Sequence, residues 1–247
     1  MTARRRPATA TSRKPRRAPR PIRREPRDGE RKRDTTRRVL LERALALFQN
    51  RGVEATTMRD IARAAGLSLG AAYYYFPSKE ALVFAFYEEN QAAIELTAAR
   101  ADGTVRERLG RVLHAKLDSI RPHRAMLAAI IQRLVDPGDP LGAFSTQTGA
   151  VRQRAIAIFA RALEGTGLPP ETVTVTAHAL WLLQLACMLV FVHDNSPDGA
   201  RTHGLVDDGL DLLVPLLPLL GTPAGQAICE RVIGALGRAG MVIAPAP

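Results

Sequence analysis

The sequence is poor in anything that would mark an active centre. Its 247 residues hold two cysteines, Cys187 and Cys229, too few for a disulfide scaffold and unaccompanied by an export signal. Cys187 sits in an apolar stretch and reads as a core thiol. The five histidines are His114, His123, His178, His193 and His203, and none stands at metal-ligand spacing with a cysteine or an acid. No metal and no cofactor is therefore expected. No nucleophile elbow and no phosphate-cradling glycine loop occurs, so enzyme chemistry is not expected either. The longest predominantly apolar run, residues 177 to 192, is shorter than the roughly 20 residues of a membrane span and contains His178 and Gln184. It reads as a buried helix, with no membrane partner. No stretch shows strand alternation, no repeat is visible, and no apolar segment follows the basic N-terminus as a secretory signal would require. The expected location is cytoplasmic, in association with the nucleoid.

What remains is helix, and charge gathered at one end. The formal net charge is +11, yet residues 1 to 33 alone hold fourteen Lys and Arg against Glu25, Asp28 and Glu30. The rest of the chain is neutral. The basic tail, rich in Pro and nearly free of apolar residues, reads as disordered. It is either a non-specific arm that gains affinity for DNA by counterion release or a solvated extension. A first helix is expected over Thr35 to Asn50, with Leu40, Ala44, Leu47 and Phe48 on one face and Gly52 closing it. Beyond Gly103, turn signals at Pro122, at residues 137–140, 165–170 and 194–199 divide the chain into helices over residues 104–120, 123–135, 147–164, 171–193, 198–220 and 223–238. Pro215 and Pro218 are expected to bend the end of the fifth of these.

The informative stretch is TMRDIARAAGLSLGAAYYYFPSKEAL, residues 57 to 82. Thr57 and Asp60 form a capping box, Gly66 ends the first short helix, Ser68 caps a second, and Pro77 with Ser78 starts a third. This is the pattern of a helix-turn-helix, whose second helix enters the major groove. Small residues at its start, Leu69, Gly70 and Ala71, face the bases. Tyr73, Tyr74 and Lys79 are suited to phosphate oxygens, and Thr57 and Ser68 to further backbone contacts.

GLSLGAAYYYFPSKEAL, preceded by MRDIARAAG and by ALALFQNRGVEATT, resembles the N-terminal domain of the TetR family of bacterial transcriptional regulators. The resemblance covers roughly residues 34 to 94. Where members commonly carry a polar residue this chain has Leu69, and Ala71 replaces a Thr or Ser, so apolar contact with thymine methyls and shape readout take over from direct hydrogen bonding. The fold implied is all-α: a three-helix DNA-binding domain over 34–94, with the helix-turn-helix at 57–76, then a regulatory, ligand-binding and dimerisation domain over 103–240. The function implied is that of a transcriptional regulator, a repressor, that binds an inverted-repeat operator on double-stranded DNA as a homodimer and leaves it on binding an unknown small-molecule effector. Met126, Ile130, Phe144, Trp181, Gln184 and Met188 are candidates for the effector pocket. Two alternatives stand beside it: a sequence-tolerant architectural DNA-binding protein driven by the tail, and a helical module that no longer binds DNA.

Overall fold

The computed structural model describes residues 28–99, 102–136 and 138–238. All regular structure among them is helical: α1 (Asp28–Arg51), α2 (Met58–Ala64), α3 (Leu69–Tyr75), α4 (Lys79–Ala98), α5 (Val105–Ile120), α6 (Arg124–Val135), α7 (Gly149–Ala162), α8 (Pro170–His193), α9 (Ala200–Leu213), α10 (Leu217–Leu220) and α11 (Pro223–Arg238). An N-terminal helix-turn-helix domain precedes a helical C-terminal domain, and α4 belongs to both. The boundary expected at Ile94 falls inside this helix, which continues to Ala98.

α1 begins at Asp28 rather than at Thr35, so residues 28–33, expected in the tail, are its first turns. No proline follows Pro26 in this stretch, and Lys, Arg and Glu favour helix. Thr35 is no cap: its hydroxyl donates back to the Arg31 carbonyl at 2.8 Å, as Thr36 does to Lys32 at 2.9 Å. The remaining tail lies outside the described residues. Leu40, Leu41, Ala44 and Phe48 of α1 are buried with Met58, Ile61, Phe76, Leu82 and Val83 in the core of the N-terminal domain.

In the C-terminal domain α4, α5, α7 and α8 form the central bundle, with α6 between α1 and α8 and with α9 against α5. Arginines fix the crossings. Arg154 on α7 donates to Glu88 at 2.6 Å and to Glu95 at 2.7 Å on α4, and Arg106 on α5 pairs with Asp207 and Asp211 on α9. Two expected boundaries move. The seventh helix starts at Gly149 because the Thr148 hydroxyl donates to the Gly142 carbonyl at 2.7 Å, holding residues 147–148 in the preceding loop. The helix expected over 198–220 starts at Ala200 and tightens to a 3₁₀ turn at Val214–Leu216 before α10, with helical backbone angles on both sides of the turn. Pro215 and Pro218 lack the N–H groups of a regular ladder, which accounts for the tightening.

α8 spans 24 residues, long enough to cross a bilayer. Half of its apolar window is packed inside the protein, where Leu180, Trp181, Gln184, Cys187 and Phe191 face the bundle. Its other half is an open stripe at helical spacing.

Candidate nucleic-acid interface and regulatory cavity

At seven residues each, α2 and α3 are far below the length at which an isolated helix holds in water. Their ends compensate. The Thr57 hydroxyl accepts from the Asp60 amide at 3.2 Å while the Asp60 carboxylate accepts from the Thr57 amide at 3.1 Å, a complete capping box of the kind that contributes about 1 kcal/mol. The Thr57 hydroxyl's bond to Asp60, at 2.6 Å, is the foremost cause holding that carboxyl below its ordinary range. After Ala65, Gly66 takes φ +68, the Leu67 amide donates to the Ala62 carbonyl at 2.9 Å and the Gly66 amide to Arg63 at 3.1 Å. That double bond is a Schellman closure and needs the left-handed residue that glycine supplies. Ser68 then caps α3, accepting from Ala71 at 3.1 Å.

The outward face of α3 is Gly70, Tyr73 and Tyr74, with the tyrosines 48% and 68% exposed. A side chain added at Gly70 would meet nothing, so this position opens directly on whatever the helix faces. Leu69 and Ala71 are half-buried, and Leu69 packs against the core. Of the three residues expected at the bases only Gly70 is fully presented, because Ala72, wholly buried, sets the inward line of the helix. Arg33 lies over the Tyr74 ring at 5.5 Å and Arg37 over Phe76 at 4.9 Å, which brings α1 cations to the same edge. Exposed Arg59 and Arg63 on α2 continue the positive surface.

Lys79 corrects an expectation. Its ammonium does not point outward for a phosphate; it donates to the Val53 carbonyl at 2.8 Å and the Glu54 carbonyl at 3.3 Å. Val53 and Glu54 stand in the turn after α1, and the lysine that opens α4 satisfies their carbonyls across that turn. Thr57 likewise spends its proton on Asp60, whereas Ser68, an acceptor in its cap, keeps an O–H to donate.

Two contiguous chambers lie in the C-terminal domain. The larger, about 90 Å³, is lined by residues of α4, α5, α6, α7, α8 and the loop before α7, among them Tyr87, Gln91, Lys116, Arg152, Trp181 and Gln184. A wholly apolar one of about 60 Å³ adjoins it, walled by Ile131, Phe144, Leu189 and Val192. They share Leu127, Leu134, Ala143, Leu185 and Met188. Trp181 meets Phe144 edge to face, with centroids 5.6 Å apart, which pins the loop over the apolar chamber. Of the six pocket residues expected from sequence, Trp181, Gln184, Met188 and Phe144 line these chambers. Met126 and Ile130 do not: both are buried core residues, and their neighbours in register, Leu127, Ile131 and Leu134, form the wall instead. α6 is apolar on two faces, so spacing alone does not say which one meets the cavity.

The cavity touches the reader through α6. Arg133, beside Leu134, donates to Asp139 at 2.7 Å, Glu80 at 3.3 Å and Glu54 at 3.4 Å. It thereby ties the loop of the cavity wall to the first turn of α4 and to the α1–α2 loop. At the other end of α6, the Gln49 amide donates to the Pro122 carbonyl at 2.8 Å and contacts His123 Nδ1 at 2.7 Å, and burial pushes the His123 pKa down. None of Tyr87, Gln91, Lys116, Arg133 and Arg152 was picked out from sequence. Lys116 carries the one legible signal: it sits at i+3 and i+4 from Leu113 and Val112, within the apolar stripe of α5.

Comparison with known proteins agrees with this geometry. Residues 40–86 match the family model described as bacterial regulatory proteins, tetR family. The transcriptional repressor KstR2 of Mycobacterium tuberculosis is 37% identical over 100 residues, covering 38% of this chain and 48% of KstR2, so the match spans about half of that relative. An uncharacterised helix-turn-helix transcriptional regulator of the same organism is 28% identical over 198 residues, 76% of this chain and 86% of the relative. Among solved structures, a TetR transcriptional regulator of Nitrosomonas europaea shares the fold at TM-score 0.59 and 20% identity, covering 73% of this chain and 99% of its own. The regulator FadR of Bacillus subtilis, solved in complex with stearoyl-CoA, aligns at TM-score 0.56 and 19% identity over 70% of this chain and 96% of its own.

Proposed function

Given that the chain belongs to the TetR family of bacterial transcriptional regulators, we propose that it is a repressor which binds an inverted-repeat operator as a homodimer and is released by a small molecule entering the C-terminal cavity. Tyr73, Tyr74 and Ser68 position the reader on phosphates, with Arg59, Arg63 and the α1 arginines adding charge, and Gly70 brings the α3 backbone close to the base edges. With no long polar side chain on that face, the shape of the groove carries much of the discrimination. The phosphate role expected of the Lys79 ammonium passes to these groups.

The observation that carries the regulatory half is the joint at Arg133. A residue next to the cavity-lining Leu134 holds both Glu54 and Glu80 of the reader. α4 itself supplies Tyr87 and Gln91 to the wall and starts one turn from Pro77 of the reader. An effector that favours one arrangement of α4 and α6 therefore shifts the reader, by as much as its affinity for the two arrangements differs.

The homodimer is supported by the open stripe of α8, where Leu182, Leu183, Leu189 and Val190 are 37 to 47% exposed, and by Leu205 and Leu212 of α9 at 50% and 74%. A contiguous apolar surface on two adjacent helices is the kind of patch that a second copy covers. Two recognition helices about 34 Å apart read a palindrome that one cannot.

The test is selection of genomic fragments by the purified protein at physiological salt, with the full chain and with a form lacking residues 1–27. Enrichment of one inverted repeat by both forms is the expected outcome. Binding only by the full chain, without sequence preference and lost steeply in salt, would establish the architectural alternative.

A further inference from the structure

The proposed effector site has an unusual charge inventory. Lys116 lines the larger chamber with its ammonium hydrogen-bonded to the neutral Asn90 Oδ1. Arg152 lines it too, donating one nitrogen, Nη1, to the Ala143 carbonyl at 2.8 Å and the Ser145 carbonyl at 3.2 Å. Neither cation forms an ion pair among the described residues. The nearby acids are engaged elsewhere, Glu88 and Glu95 by Arg154 and Glu80 and Asp139 by Arg133, and no Asp or Glu lines the chamber. The Tyr87 hydroxyl, buried in the same wall, has no hydrogen-bond partner among the described residues. Gln91 and Gln184 add buried amides.

Lys116 and Arg152 are half-buried in this wall with no carboxylate partner among the described residues, and the Tyr87 hydroxyl is buried beside them, an arrangement that favours an incoming anion. Desolvation acts on both cations in the same sense, pushing Lys116 down to about 8 and lowering Arg152. An anion would reverse that penalty, and the adjoining chamber, lined only by apolar side chains, calls for a hydrocarbon body on the same molecule. A carboxylate fits better than a phosphate. It is the smaller group for a chamber of about 90 Å³, its two coplanar oxygens suit the guanidinium nitrogens that Arg152 has not committed, and the Tyr87 O–H can donate to either.

We propose that the effector is an amphipathic carboxylic acid, its carboxylate received by Lys116, Arg152 and the Tyr87 hydroxyl and its hydrocarbon body lying in the chamber formed by Leu127, Ile131, Leu134, Phe144, Leu185 and Leu189. This rests on the reading of the cavity as the effector site. Free carboxylate is specified, in contrast to an acyl thioester, because the site's donors are inside the bundle at the carboxyl carbon.

Trp181 is the only tryptophan in the chain and lines the chamber, so its emission reports occupancy without a label. Octanoate, octanol, methyl octanoate and octanoyl-CoA are titrated into the full-length protein at pH 7. Octanoate is expected to shift the emission with at least tenfold higher affinity than octanol or the methyl ester. Lys116→Met and Arg152→Met should each erase that preference while leaving octanol binding unchanged, and Tyr87→Phe should reduce it several-fold. Circular dichroism and retained octanol binding show that the variants fold. If octanol or octanoyl-CoA binds as tightly as octanoate, or if Lys116→Met leaves the preference intact, the carboxylate inference is overturned while the effector site stands. If no probe moves Trp181, both are overturned.

Discussion

Gly70 and Lys116 are opposite cases of a residue out of character with its surroundings. Gly70 is the second residue of a seven-residue helix, where its backbone freedom disfavours the helix relative to alanine, and its missing side chain leaves an opening on the outer face. Gly70→Glu is expected to abolish operator binding, by a hundredfold or more in electrophoretic mobility shift, with the thermal midpoint unchanged or raised. A loss of folding in place of a loss of binding would show that α3 does not present this face. Lys116 is charged where its helix stripe is apolar. Because its folded pKa lies at about 8, below the ordinary lysine value, the unfolded chain binds the extra proton between that value and about 10.5. The lysine's penalty on stability is therefore fully present below pH 8 and is relieved as pH rises through the window. Lys116→Met should raise the thermal midpoint of the ligand-free protein at pH 7, with a difference that shrinks towards pH 10. Octanoate affinity should fall close to tenfold per pH unit above pH 8 in the wild type and stay flat in the variant, measured by Trp181 emission.

The short helices of the reader were legible because everything that defines them is local. Caps at Thr57 and Ser68, the left-handed turn at Gly66 and the stop at Pro77 act within four residues, and each stands where the sequence puts it. The cavity was not legible to the same degree, since it is assembled by residues as far apart as Tyr87 and Met188 from five helices and a loop. Apolar runs such as α6 declare that they are buried without saying which face meets a void, hence the misassignment of Met126 and Ile130. Lys79 was misread for a related reason: the carbonyls it satisfies belong to a loop more than twenty residues earlier. Two predictions belong to elements. Arg133→Met removes the tie from α6 to Glu54 and Glu80, together with the hold on Asp139 before the cavity-wall loop, and leaves the outward face of α3 untouched. It should leave operator affinity within a few-fold and reduce the effector's ability to displace DNA at least tenfold, measured in the same titration. At the start of α9, the buried Asp194 carboxylate accepts from Ser196 N and Oγ and from Thr202 N and Oγ1 at 2.6 to 2.9 Å. Those bonds, Ser196's foremost, hold its pKa far below the ordinary value. The stability it contributes is thus full above about pH 4 and declines as the solution is acidified through and below that point. Asp194→Asn should lower the thermal midpoint at pH 7, with a difference that narrows on acidification.

For the whole molecule the proposed dimer rests on the stripe on α8 and α9. Leu183→Glu combined with Leu212→Glu should convert the species seen by sedimentation from dimer to monomer, and operator affinity should fall by two orders of magnitude or more, since each monomer retains only one reading helix. Trp181 emission should still respond to octanoate, because every residue lining the cavity comes from one chain. Persistence of a dimer in this variant would move the interface to another face. Neither result follows from hydropathy alone, as α8 buries one half of its circumference in the bundle and leaves the other half open.

Both cysteines, Cys187 and Cys229, are buried, and burial also pushes the Cys187 thiol up, away from its reactive thiolate form. Thiol reagents are expected to react slowly with both, so that in Gly70→Cys the new thiol would be the one that a maleimide or nitroxide finds first. In a two-fold assembly such a label appears twice, once on each recognition helix. The separation of the two spins would then be a ruler laid between the helices, read with and without octanoate in the same tube.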